Sequence, residues 1–114
     1  PKEAALACDD IKALKPTEYS VLKEVARIYH TVGKFPACSS MIEHGYIVKP
    51  DREIGELLFY SYVYEDNFQK QHKIAVKLFK QCEDPRYALW GIQSMVLSAK
   101  YDHEAGAVFQ IAEL

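Results

Sequence analysis

The chain has 114 residues, 49% of them hydrophobic and 26% charged, with a formal net charge of −2, which is one ordinary domain's worth of core-forming material. No apolar run approaches the roughly 20 residues that cross a bilayer, and no basic leader precedes a short apolar core, so the sequence reads as soluble, unsecreted and cytoplasmic, with no membrane partner. The net charge gives no global reason to expect nucleic acid, which calls for a basic domain, so partners have to be argued locally.

The chain opens on an amphipathic stretch, Ala5, Leu6, Cys8, Ile11 and Leu14, that reads as the second helix of an incomplete hairpin over residues 1–16. Pro16 stops that helix, Thr17 is available to cap the next one, and Glu18 lies in its first turn. Leu22, Val25, Ala26 and Tyr29 then step by three and four, which puts them on one helical face. Ala26 is small where a partner helix must approach closely, and Cys38 does the same from the second helix. Gly33 stands where the first helix ends, since glycine takes the left-handed conformation at little cost. Phe35 starts the return path, and Pro50 closes the hairpin because its ring removes a backbone donor.

The interval from Pro16 to Pro50 is about 34 residues, the period of a tetratricopeptide repeat, and Pro85 follows after nearly the same interval again. In the second hairpin Leu58, Phe59, Tyr62 and Phe68 match the core positions of the first, Asp66 takes the place of Gly33, and the interval to Pro85 reads as holding an extra residue. The third begins at Asp84-Pro85 and carries Tyr87, Leu89, Trp90, Ile92, Met95 and Val96, a face broad enough to be buried on more than one side.

The expected fold is therefore all-α, a tetratricopeptide-like helical-hairpin solenoid of about seven antiparallel helices. After the opening helix they are expected over 18–32, 35–48, 52–65, 68–82, 86–99 and 102–114. The whole chain reads as one repeat segment, with a partial repeat over 1–16 and repeats over 17–50, 51–85 and 86–114. Val108, Phe109, Ile111, Ala112 and Leu114 make a last apolar face without a polar cap, which reads as an excerpt from a longer array.

No motif for catalysis is found. Cys8, Cys38 and Cys82 form no close pair, and an odd number leaves no complete disulfide framework, so they read as small core fillers in a reducing compartment. His30, His44, His72 and His103 lack the spacings of a helical zinc site, the five glycines are isolated, and Ser39, Ser40 and Ser94 have no activating context. The expectation is a non-enzyme without catalytic, cofactor-binding or metal residues, without a cofactor and without a direct small-molecule substrate.

Two surface features stand out. Lys70, Lys73, Lys77 and Lys80 step by three, four and three along one side of a helix. They fit either a contact with ribosomal RNA or an acidic protein, or the solvated face of an amphipathic helix. Tyr60 and Tyr64 share a face that in such repeats lines the concave groove, where exposed tyrosine is a good anchor, although packing against a neighbouring repeat explains them equally. Lys23 and Arg27 occupy groove positions of the first hairpin. A peptide-tail receptor with a two-carboxylate clamp would need asparagine where Arg27 and Leu57 stand, so that clamp is not built.

Leu14-Lys15-Pro16-Thr17, the hairpin with Tyr29, the run Leu57 to Tyr62, the stretch Phe68-Gln69-Lys70-Gln71-His72-Lys73-Ile74-Ala75-Val76-Lys77-Leu78-Phe79-Lys80 and the stretch Asp84-Pro85-Arg86-Tyr87-Ala88-Leu89-Trp90 together resemble, in order and spacing, the amino-terminal repeats of the non-catalytic subunit of the N-terminal acetyltransferase B complex. The resemblance covers about residues 6–100. It implies a helical scaffold that wraps a separate catalytic subunit, which carries the acetyl-CoA site and acetylates nascent chains beginning Met-Asp, Met-Glu, Met-Asn or Met-Gln. The partners it implies are that catalytic acetyltransferase subunit and, as a further candidate, the ribosome. The partner-binding residues expected are Lys23, Arg27, Tyr60, Tyr64, Lys70, Lys73, Lys77 and Lys80. A generic tetratricopeptide adaptor for a peptide or protein and an RNA-binding helical array are the alternatives.

Overall fold

The computed structural model describes residues 2–105, and its elements in order are α1 (Lys2–Ala13), α2 (Tyr19–Thr31), α3 (Phe35–Val48), α4 (Arg52–Tyr64), α5 (Phe68–Cys82) and α6 (Pro85–Ala105). No strand occurs among the described residues. The fold class is all-α and of the tetratricopeptide-like helical-hairpin kind. The chain divides into two compact units, Pro1–Asn67 and Phe68–Leu114, with the division falling inside the repeat expected over 51–85.

In the first unit α1 packs on α2, α2 on α3, α3 on α4 and α2 on α4. The four positions expected to face the core of α2, Leu22, Val25, Ala26 and Tyr29, are its buried residues. Cys38, Met41, Ile42, Gly45 and Tyr46 answer them from α3, and Ile54, Leu58, Phe59 and Tyr62 from α4. A methyl group on Gly45 would lie 2.8 Å from Leu22 Cδ1 and 3.3 Å from the Pro16 carbonyl oxygen. Glycine there lets α3 lie against both α2 and the turn that precedes it.

The second unit is the pair α5 and α6. Gln71, Ile74, Ala75 and Leu78 of α5 and Tyr87, Gly91 and Ser94 of α6 are buried. The breadth expected of the third hairpin's apolar face is not covered: Leu89, Ile92, Met95 and Val96 are each more than half exposed.

The helix starts correct the period. Tyr19, Arg52 and Pro85 open α2, α4 and α6, and Phe35 and Phe68 open α3 and α5. Equivalent helices therefore follow one another at a constant step, slightly shorter than the interval from Pro16 to Pro50. There is no extra residue before Pro85. The prolines mislead because each holds a different place in its turn: Pro16 lies in the loop before α2, Pro50 in the loop after α3, and Pro85 is itself the first residue of α6. Proline is accommodated at all three kinds of position.

The same register explains one break that does not occur. Gly33 (φ 77°) and Asp66 (φ 54°) reverse the chain in the left-handed conformation after α2 and α4, and one repeat step beyond Asp66 stands Ala99. Alanine is the best helix former and disfavours that conformation. Accordingly α6 runs on to Ala105 instead of ending at 99. The remainder of the helix expected over 102–114, with Val108, Phe109, Ile111, Ala112 and Leu114, lies outside the described residues. The N-cap position of α2 is Glu18 and not Thr17, and it makes no side-chain cap hydrogen bond. Of the three cysteines, Cys8 and Cys38 are buried as expected, whereas Cys82 is only half-buried.

Candidate interaction surfaces

Lys23 and Arg27 lie exposed on α2. The Lys23 ammonium stands 5.9 Å from the Tyr19 ring centroid. Arg27 forms a two-pronged hydrogen bond to Glu24, Nε to Oε2 at 3.3 Å and Nη2 to Oε1 at 3.1 Å. That hydrogen bond, and then the guanidinium charge, hold the Glu24 carboxyl below its ordinary value.

Tyr60 and Tyr64 of α4 are 50% and 56% exposed. Tyr60 meets Phe59 edge-on, while Tyr64 stacks on His30 of α2 at 4.1 Å and on Phe35 of α3 at 5.8 Å. Arg27 and Tyr60 are separated by one repeat step and thus hold the same place in α2 and α4. The first unit therefore brings four of the expected partner-binding residues onto two helices that pack together, with Val63, 43% exposed, between the two tyrosines in sequence.

Beneath the His30 and Tyr64 rings lies a polar chain that the sequence does not disclose. The buried Cys38 Sγ is 3.4 Å from His30 Nε2 and Ser61 Oγ is 3.6 Å from Cys38 Sγ. Ser39 donates to Glu65 Oε2 at 2.7 Å, Ser61 donates to Cys38 Sγ, and the two serine hydroxyls stand 2.6 Å apart. Burial, before any other influence, pushes the Cys38 thiol up to about 11, and burial lowers His30 below its ordinary 6.5. A thiol held up and an imidazole held down make a neutral pair, which is the opposite of what activates a cysteine nucleophile. The cluster is structural.

Two further carboxylate contacts recur at the junctions. Tyr29 of α2 donates to Asp9 of α1 at 2.6 Å, and Tyr62 of α4 donates to Glu43 of α3. Tyr29 and Tyr62 hold equivalent places, again one repeat step apart. Burial, helped by the carboxylate, raises both phenols above their ordinary value. The equivalent place in α6 is held by Met95, which is exposed. A second pair also repeats: Ser61 approaches Cys38 in the first unit, and Ser94 donates to Gln71 at 3.3 Å in the second, each residue shifted by the same step.

Lys70, Lys73, Lys77 and Lys80 are all exposed along α5, as one side of a helix buried through Gln71, Ile74, Ala75 and Leu78. His72 is not part of that stripe, since its Nδ1 donates to the Gly91 carbonyl at 3.1 Å. Among the described residues no group of three or more His, Cys, Asp or Glu side chains could hold a metal ion, and no helix is long and apolar enough to cross a membrane.

In comparison with known proteins, a family model described as the Psidin N-terminal TPR repeats region fits residues 1–114, the whole chain. No curated protein and no solved structure matches.

Proposed function

The chain belongs to the family of Psidin N-terminal tetratricopeptide-repeat regions, non-catalytic protein-interaction modules, and from that premise we propose that it is the scaffold part of an N-terminal acetyltransferase B complex. In that role it binds and positions a separate catalytic subunit for cytoplasmic acetylation of nascent chains beginning Met-Asp, Met-Glu, Met-Asn or Met-Gln. The observation that carries the proposal is the sequence pattern over Phe68–Lys80 and Asp84–Trp90, which is more specific than a repeat consensus and resembles that subunit. The ribosome is a second partner in this reading, because the modified chains are nascent.

On the first unit, α2 and α4 supply the surface for the catalytic subunit. Lys23 and Arg27 provide cations, and Tyr60 and Tyr64 provide large exposed rings of the kind that anchor interfaces. The test is co-expression with an acetyltransferase B catalytic subunit, followed by affinity capture and assay on a Met-Asp peptide. Stable capture that Tyr60→Ala with Tyr64→Ala weakens at least tenfold is expected. Capture of other proteins but never of an acetyltransferase would leave the chain a general adaptor and end the proposal.

A further inference from the structure

The exposed side of α5 carries charge of a single sign. Between Asn67 and Glu83 there is no acidic residue, yet four of the chain's 14 lysines and arginines lie there. At 100° per residue Lys70, Lys73, Lys77 and Lys80 fall within one sector of the helix, and Gln69 and Gln81 fall in the same sector. All six are exposed. Lys73, Lys77 and Lys80 make no ion pair with any described residue. Elsewhere cations are interleaved with acids, as in the pairs Arg27 with Glu24, Arg52 with Glu56 and Arg86 with Asp84. An ordinary solvated helix face mixes signs in that way.

We propose that this face of α5 binds the phosphate backbone of single-stranded RNA. From Lys70 to Lys80 the helix rises about 15 Å, and at about 3.4 Å of axis per phosphate that length faces about four phosphates with four ammonium groups. The two glutamine amides add neutral donors of the kind that contact phosphate and sugar. The partner is nucleic acid and not an acidic protein, because the stripe holds only lysine and glutamine. Protein interfaces are depleted in lysine and rely on aromatic and arginine anchors, and the one large ring that α5 exposes, Phe79, stands on the other side of the helix. The surface reads charge and not sequence, since contacts to phosphate and sugar carry no sequence information. It does not rest on the acetyltransferase assignment.

The test is fluorescence anisotropy of the full 114-residue chain with a labelled 20-nucleotide oligouridylate between 50 and 200 mM KCl. Four phosphate contacts to a single strand predict a log–log salt slope of about −3, hence roughly a 50-fold loss of affinity across that range. The quadruple variant Lys70→Gln, Lys73→Gln, Lys77→Gln, Lys80→Gln should abolish binding with an unchanged circular dichroism spectrum, and the corresponding quadruple Lys→Arg variant should retain it. Absence of binding by the parent at 50 mM overturns the proposal. So does a slope that the glutamine variant keeps, or an oligoglutamate peptide of equal charge that competes as well as unlabelled RNA, since it would make the partner an acidic protein.

Discussion

Gly45 and Gly91 are both helical, and the same substitution at each has opposite expected signs. At Gly45 an added methyl meets Leu22 Cδ1 at 2.8 Å and backbone at 3.3 Å, whereas at Gly91 its nearest neighbour is His72 Nδ1 at 3.6 Å, an ordinary contact. Gly45→Ala should cost about 1–3 kcal/mol through overpacking, and Gly91→Ala should gain about 0.5–1 kcal/mol from the lower chain entropy of alanine. Urea denaturation of the two variants checks both, and a stable Gly45→Ala protein would mean that α3 does not approach α2 so closely. His30 adds a pH dependence. It is faced by Cys38 and Phe35 from α3 and Tyr64 from α4, and burial lowers its folded value below 6.5. Above pH 6.5 the ring is neutral folded and unfolded, and its packing contributes fully. As the pH falls from 6.5 toward the lower folded value the unfolded chain takes the proton first, so stability is lost over that interval. Urea midpoints at pH 7.5, 6.0 and 5.0 should fall more steeply for the parent than for His30→Gln.

At the scale of the helix and its turn, one register position follows both α2 and α4. Gly33 and Asp66 sit there in the left-handed conformation, which an L-residue other than glycine enters at a cost of about 1–2 kcal/mol. Asp66→Gly should therefore raise stability by about 1 kcal/mol and Gly33→Ala lower it by a similar amount, read as a shift in urea midpoint; equal midpoints for all three proteins would show that neither turn holds that conformation. These turns are legible in the sequence, because Gly and Asp-Asn carry turn chemistry themselves. So is the core face of α2, whose four residues follow from helical spacing alone. The period is less legible, since the prolines occupy different places in their turns and only the helix starts give the true step. The chain from His30 through Cys38, Ser61 and Ser39 to Glu65 is not legible at all. Its members lie on three helices and the turn after α4, and no local pattern marks a cysteine, histidine or serine that finds its partner only when those elements pack. Lys23, Arg27, Tyr60, Tyr64 and the four lysines are legible as exposed positions, since exposure follows directly from helical phase once the buried side is known.

Across the whole molecule the apolar core is unevenly shared. Among the described residues, fourteen of the eighteen buried hydrophobic side chains belong to the first unit, and only Ile74, Ala75, Leu78 and Tyr87 to the second. The first unit also holds both buried tyrosine–carboxylate contacts and the serine–cysteine–histidine chain. Local stability follows the amount of buried apolar contact, and a hairpin closed by four such side chains leaves its amides close to solvent-exposed ends on both helices. Native-state hydrogen exchange should thus show the slowest amides in the middle of α2, α3 and α4, with α5 and α6 exchanging through openings of lower free energy. Leu78→Ala should speed exchange throughout α5 and α6 while changing α2 little, and Ile42→Ala should lower the protection of α2, α3 and α4 together, since removing a buried aliphatic side chain costs about 2–5 kcal/mol. Protection in α5 and α6 that matches α2 and responds equally to both substitutions would show that the two units open as one.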